Sequence, residues 1–227
     1  MSEAQPEPGK KPVTIDIVSD VMCPWCYIGK RRLEAALEIV GNQPVSVRWR
    51  PYQLDATLPP EGKDRRKYLE DKFGGPERAD EIYGRIEKAG KSEKLAFAFD
   101  KIAVSPNTLD AHRLIRWAGG VSEQMQDKVV EALFDAFFMQ GLHIGDHAVL
   151  TKIAADAGMD GNLVAQLLAT DRDTQETQSQ IAQASAMGVQ GVPCFILNGT
   201  HGVSGAQAAD HLASAIRQVA TLRPTVE

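Results

Sequence analysis

Cysteine is scarce in this chain, three residues in 227, whereas secreted domains of this size often carry several bridges. Taking residue 1 as the natural start, that scarcity points to the cytoplasm. Positive charge is scarce too: 25 Lys and Arg stand against 30 Asp and Glu, a formal net charge of -5. The basic groups Arg31-Arg32 and Arg65-Arg66-Lys67 suit solvated helix faces, so nucleic acid is excluded as a partner. No run of about 18 apolar residues could span a membrane. The first segment, Met1 to Pro12, is polar and proline-containing and lacks the apolar core of a secretory signal. No second C-x-x-C or H-x-x-H completes a zinc cluster, so no metal is expected. His143 and His147 are four apart, but Gly145 and a helix cap at Asp146 fall between them. With 43% hydrophobic and 24% charged residues, the composition is that of an ordinary globular protein. The length suits one substantial domain with an insertion, or two small ones.

What is present centres on Cys23-Pro24-Trp25-Cys26. The β-branched run Val13 to Val18 before it reads as a strand. The run Tyr27 to Val40 after it repeats Leu33, Ala36, Leu37 and Val40 at helical spacing. A C-x-x-C at such a junction reads as a thioredoxin-like redox site. The unpaired N–H groups and dipole of a helix start favour a thiolate there. Cys23 is then the acidic, exposed nucleophile, and Cys26, about one turn on, the buried thiol that resolves a mixed disulfide. Pro24 suits the first helical turn, and Trp25 offers an apolar surface beside the reacting sulfur.

The rest of the pattern is α/β. Val45 to Arg50 alternates as a half-buried strand, making a strand–helix–strand crossover with the first two elements. A proline-rich loop, Pro51 to Gly62, leads to helices over Asp64–Phe73 and Pro76–Ala89. From Ser105 to Met187 the pattern is almost wholly helical, without a credible strand. Ser105-Pro106 signals a helix start and Gly119-Gly120 its stop. Further helices are expected over Ser122–Gln140, from Asp146 to Gly158, and over Asp171–Met187. Val192 to Leu197 and His201 to Val203, joined by Asn198-Gly199, read as a hairpin, and Ser204-x-x-Gln207 as a capping box opening the last helix. The expected organisation is a tail over 1–12, an α/β domain over 13–104 and 188–222, and a helical subdomain inserted at 105–187.

Pro193 opens a strand, where a trans proline is the default; a cis Val192–Pro193 bond would present the Val192 backbone to an extended substrate near Cys23. Ser19 to Lys30, Ser105 to Leu114 and Gly191-Val192-Pro193 together resemble the FrnE-like branch of the DsbA family of thiol:disulfide oxidoreductases, over nearly the whole length from Val13 to about Ala220. The resemblance implies a thioredoxin-like fold interrupted by a helical insertion. It implies Cys23 as nucleophile, Cys26 as resolving thiol and Pro193 as the cis-proline of a substrate groove, with Asn107, Thr108 and His112 at the head of an insertion helix near it. Protein or small-molecule thiols and disulfides are the implied partners, recycled by glutathione or a thioredoxin-like system. Glutathione enters as a redox co-substrate and no cofactor is tightly bound. The oligomeric state is open, a homodimer included.

The same superfamily supplies the rival, glutathione-dependent isomerases of the 2-hydroxychromene-2-carboxylate type and kappa-class transferases. Those relatives typically carry serine where this chain has Cys23, and their acidic glutathione-binding residue is replaced here by Ser204-Gly205-Ala206-Gln207. A redox-regulated chaperone is the non-enzymatic alternative. Cys194, in a strand, reads as a small buried thiol before it reads as a third redox sulfur. Asp20 reads as a turn residue and Asp16 as exposed on a sheet edge, although a buried carboxylate could take the Cys26 proton. His112 lies a turn after Thr108, so the two can either hold a substrate or a proton, or cap and pack the insertion.

Overall fold

The computed structural model describes residues 12–222; the tail expected over 1–12 lies, Pro12 apart, outside the described residues. β1 (Val13–Ser19) buries Val13, Ile15 and Ile17 at the period of two that a strand dictates. α1 (Pro24–Val40) follows, with Cys23 at its N-cap and Pro24 in its first turn, where a missing N–H costs nothing. β2 (Val45–Pro51) then lies parallel to β1, Val13 opposite Val45 and Ser19 opposite Pro51.

Next come β3 (Lys63–Asp64), α2 (Arg65–Phe73), α3 (Pro76–Ser92), β4 (Val104–Ser105), α4 (Leu109–Val121), α5 (Glu123–Phe138), α6 (His147–Ala157), α7 (Gly161–Leu168) and α8 (Thr174–Ala186). Their starts follow side-chain capping. Asp64 accepts from the Lys67 N–H, Ser122 from Met125, Asp146 from Ala148 and Val149, and Asp160 from Leu163. β5 (Cys194–Leu197), β6 (His201–Ser204) and α9 (Ala209–Thr221) close the chain. β5 runs antiparallel to β1, with Val18 opposite Cys194. The sheet order is β2-β1-β5-β6. Asn198 and Gly199, with φ of 49° and 73°, turn β5 into β6. Both ends of the chain therefore share one sheet, and β1 is central in it.

Four local expectations are corrected. Ser105 starts no helix: it sits in β4, paired with Lys63 of β3. α4 begins later, where Asn107 Oδ1 accepts from the Leu109 N–H. That pairing also supplies a strand where none was expected, because two residues are too few to show a period. Gly119-Gly120 does not stop α4, which runs on to Val121 until the extended Ser122. Packing overrides the low propensity of glycine there, since a Cβ on Gly119 would fall 2.7 Å from Gln126 Nε2. Ser204 and Gln207 form no capping box: Gln207 Nε2 donates to the Ser204 carbonyl, and α9 starts from Ala208.

The few aromatic residues, 6% of the chain, are concentrated where α1 meets α5. Tyr27 stacks on Phe134 with centroids 4.8 Å apart, and Phe97, Phe99, Phe137 and Phe138 continue the cluster. The Tyr27 hydroxyl donates to Glu131. Beside it the buried Lys30 ammonium meets Glu34 at 2.5 Å, Asp127 at 3.0 Å and Glu131 at 3.3 Å, which answers the cost of burying a charge. At the sheet edge the Gln126 amide takes the place of a neighbouring strand, accepting from the Trp49 N–H at 2.9 Å and donating to the Trp49 carbonyl at 3.2 Å. An exposed edge is closed in this way to further pairing. Among the described residues no helix is long and apolar enough to cross a membrane.

Candidate active site

The site forms where the carboxyl end of β1, the start of α1 and the start of β5 converge. Cys23 is the N-cap of α1 and Cys26 lies in its first turn, its N–H bonded to the Cys23 carbonyl at 3.0 Å. The Cys23 thiol donates to the Val192 carbonyl at 3.8 Å. The Val192–Pro193 peptide bond is cis. α1 approaches this loop closely enough that a Cβ on Gly29 would stand 2.8 Å from Pro193 Cγ and 3.3 Å from Phe195 Cζ. Gly29 is thus required by a close approach of helix to loop rather than by backbone freedom.

Cys23 is not exposed as expected. Its relative accessibility is 5%, against 1% for Cys26, and the Val192 carbonyl stands against its sulfur. All three thiols are free. Burial raises the Cys26 pKa well above the ordinary thiol range, and the neighbouring Cys23 sulfur raises it further. The Ser19 hydroxyl and the Asp20 backbone lie beside Cys26 and pull the other way.

Pro24 is buried and Trp25, 37% exposed, is the large apolar side chain of the motif that faces solvent. Half-buried Val192 supplies its carbonyl to Cys23. Asn107 is occupied in pinning loops together: its amide donates to the Leu58 carbonyl at 2.6 Å, and its Oδ1 accepts from Gln53 and Leu109. Thr108 is buried, and its carbonyl accepts the His112 N–H. His112, also buried, places Nε2 3.5 Å from Asp20 Oδ1. Asp20 is no surface turn residue. It is wholly buried, with Oδ2 accepting from Leu54 N at 2.7 Å and Oδ1 from Met22 N at 3.3 Å. Asp16 lies on the central strand and is ion-paired with Arg50 at 2.8 Å. The acidic character of either position was visible in the sequence; the partners that decide its burial come from β2 and the loop after it.

Cys194 faces away from the pair. It packs with Val18, Ala184, Val189 and Ile196 in a small cluster of its own, while Cys23 and Cys26 belong to the main core. His143 and His147 do not converge either: His143 bonds the Glu61 carbonyl and His147 bonds Asp110. Among the described residues no group of three or more His, Cys, Asp or Glu is placed to hold a metal ion.

Two features were missed in the sequence. One is Ser19 beside Cys26. The other is the buried Arg65, which donates to the Tyr83 hydroxyl at 2.6 Å and lies over the Tyr83 and Phe137 rings. Burial lowers the Arg65 pKa, and the Tyr83 pKa is raised by burial and by the Cys23 charge. No local signal marks Arg65, because its partners lie 18 and more residues away.

The family described as DSBA-like thioredoxin domain matches residues 14–217. Among solved structures, the probable DsbA oxidoreductase SCO1869 from Streptomyces coelicolor superposes with a TM-score of 0.86 at 28% identity, covering 95% of this chain and 93% of that one. The cytosolic disulfide reductase DsbM from Pseudomonas aeruginosa, solved with GSH, shares the fold with a TM-score of 0.59 at 17% identity, covering 92% and 100% of the two chains. A curated relative, the uncharacterized protein YwbO of Bacillus subtilis, is 27% identical over 206 residues, 90% of this chain and 96% of its own.

Proposed function

Because the chain belongs to the DSBA-like thioredoxin-domain family of disulfide oxidoreductases, we propose that it carries out dithiol/disulfide exchange in the FrnE-like manner, through a mixed disulfide at Cys23. The observation that carries this reading is the seating of Cys23 at the N-cap of α1, its sulfur against the Val192 carbonyl and Cys26 three residues further on. A helix start stabilises a sulfur anion, whereas deep burial disfavours one. Cys23 stands at the helix start with its sulfur against the Val192 loop, while burial raises the pKa of Cys26, so Cys23 attacks first.

The Cys23 thiolate attacks one sulfur of a substrate disulfide, and the other substrate sulfur leaves as a thiolate. The Cys26 sulfur, deprotonated, then attacks Cys23 Sγ, forming the Cys23–Cys26 disulfide and releasing the second substrate thiolate. Two electrons pass from the enzyme dithiol to the substrate, and the reverse sequence makes the enzyme a disulfide donor. The Val192 backbone and cis Pro193 form the groove wall, and Trp25 offers an apolar surface to the substrate beside the sulfur. Asn107, Thr108 and His112 support that end of the groove from behind. Glutathione, bound in the DsbM structure, is proposed as the co-substrate that recycles the pair in the cytoplasm, and not as a held cofactor.

The test is a trapping experiment. With Cys26→Ser and a small aromatic disulfide, intact mass should show one stable adduct on Cys23; with Cys23→Ser there should be none at that site. Absence of the Cys23 adduct overturns the reading. Equilibration of the wild type against glutathione buffers then fixes the direction: a midpoint near the cytosolic poise or below marks a reductase, and a far more oxidising one a disulfide donor.

A further inference from the structure

The resolving step needs a proton taken from Cys26, and the sulfur is sealed from solvent at 1% accessibility. Two buried side-chain atoms among the described residues close no hydrogen bond of their own, Ser19 Oγ and His112 Nε2. Both residues line the same small cavity of about 10 Å³, whose other walls are Val21, Trp49, Arg50, Ile115 and Val130. That volume is the least that one water requires, and a water is retained in such a space only when polar groups receive it. Apart from the Cys26 sulfur beside Ser19 and Asp20 Oδ1 at 3.5 Å from His112 Nε2, neither atom has a polar partner among the described residues, and buried polar atoms with unmade hydrogen bonds are costly unless they serve something.

On the oxidoreductase reading above, we propose that Ser19 and His112 form an internal proton path that serves Cys26. Ser19 sits beside the sulfur. The Cys26 proton passes to Ser19 Oγ as the Ser19 hydroxyl releases its own proton, through one water in the cavity, to His112 Nε2. Asp20 Oδ1, 3.5 Å from that nitrogen and held in place by the Met22 and Leu54 N–H groups, stabilises the imidazolium. Cys26 then attacks Cys23 Sγ, the S–S bond to the substrate breaks, and its thiolate departs. One proton has moved within the protein and the electrons stay with the sulfurs. The charged groups facing the imidazole are Asp20 from the β1–α1 loop and Arg50 from β2 across the cavity; α5 contributes only Val130 to the cavity wall. Arg50 is itself paired with Asp16, which leaves Asp20 as the carboxylate nearest the imidazole. Histidine is the side chain whose charge changes most readily near neutral pH.

The experiment separates the two chemical steps. A chromogenic aromatic thiol is first loaded onto Cys23 by its symmetric disulfide, and its release on attack by Cys26 is followed by stopped flow from pH 5.5 to 9. Positioned proton transfer contributes at least about 100-fold, so His112→Gln and Ser19→Ala should each slow release at neutral pH by roughly that factor. Release in both should become first order in hydroxide, as solvent replaces the internal acceptor. Ser19→Thr, which keeps the hydroxyl, should restore the rate and its pH profile. The double variant should be no slower than the slower single, as for groups acting in one path. Loading at Cys23 should still go to completion in all of them, as read by intact mass before the release step, which also certifies folding. Wild-type rates and pH profile in both single variants overturn the path. Failure of loading in the wild type would instead overturn the oxidoreductase reading itself.

Discussion

The two faces of the central sheet each hide a thiol, and they prepare it differently. On one face Cys26 lies in the first turn of α1 with Cys23, Ser19 and Asp20 around its sulfur. On the other, Cys194 opens β5 among Val18, Ala184, Val189 and Ile196, with the Ser204 side chain as its polar neighbour. Burial raises the pKa of both. Burial therefore does not distinguish a reactive sulfur from a packing one. A second sulfur within reach, a helix start and a route for the proton do.

The largest expected effect is at the first face. Cys23→Ala should reduce turnover of a small disulfide to the uncatalysed rate, since no other sulfur is placed to begin exchange; residual turnover supported by Cys194 would erase the contrast between the faces. Next comes Gly29→Ala, whose Cβ must push against the rigid ring of Pro193. Overpacking of this kind costs about 1–3 kcal/mol, visible as a lower urea midpoint together with slower turnover. A change in stability without loss of activity would show that the α1–Pro193 contact is only structural.

Lys30→Met removes the cation shared by Glu34, Asp127 and Glu131. Breaking a fully buried pair costs about 3–5 kcal/mol, but these carboxylates are a third to a half exposed, so a loss of about 1–2 kcal/mol is expected. Exchange kinetics should change little, because the network joins α1 to α5 away from the sulfurs.

The pH dependence of stability should sharpen the comparison. Cys26 has a raised pKa when folded, so the folded protein holds this proton where the unfolded chain has lost it. Its contribution is complete below the unfolded value, about 8.5, and is lost as pH rises from there toward the folded value. Urea midpoints of the reduced protein should thus fall from pH 8 to 10, and fall less steeply in Cys26→Ala. Cys194→Ala should flatten the same curve to a smaller degree. The smallest effect is on activity: Cys194→Ala should leave turnover within about twofold, since its face takes no part in exchange.

Much of this was legible along the chain. The β-branched run, the C-x-x-C and the helical spacing after it are local signals, and β1, α1 and the parallel β2 follow from them. Asp64, Ser122 and Asp146 announce their helices because a cap acts within three residues. Ser105-Pro106 misled for the converse reason. The same local pattern was outweighed by pairing with β3, some 40 residues earlier. Gly119-Gly120 misled likewise, since a helix held by packing tolerates a residue of low propensity.

The sequence by itself determined that two cysteines stand at a strand-to-helix junction and that a third stands in a strand, for spacing and periodicity are properties of neighbours in the chain. Only the tertiary structure decided which face each sulfur occupies, that Asp20 is buried with His112 at 3.5 Å, that Ser19 and His112 share one cavity, and that Gly29 leaves room for Pro193. Each of these joins residues that are distant along the chain. Their desolvation and packing exist only once β1, β5 and α4 have come together.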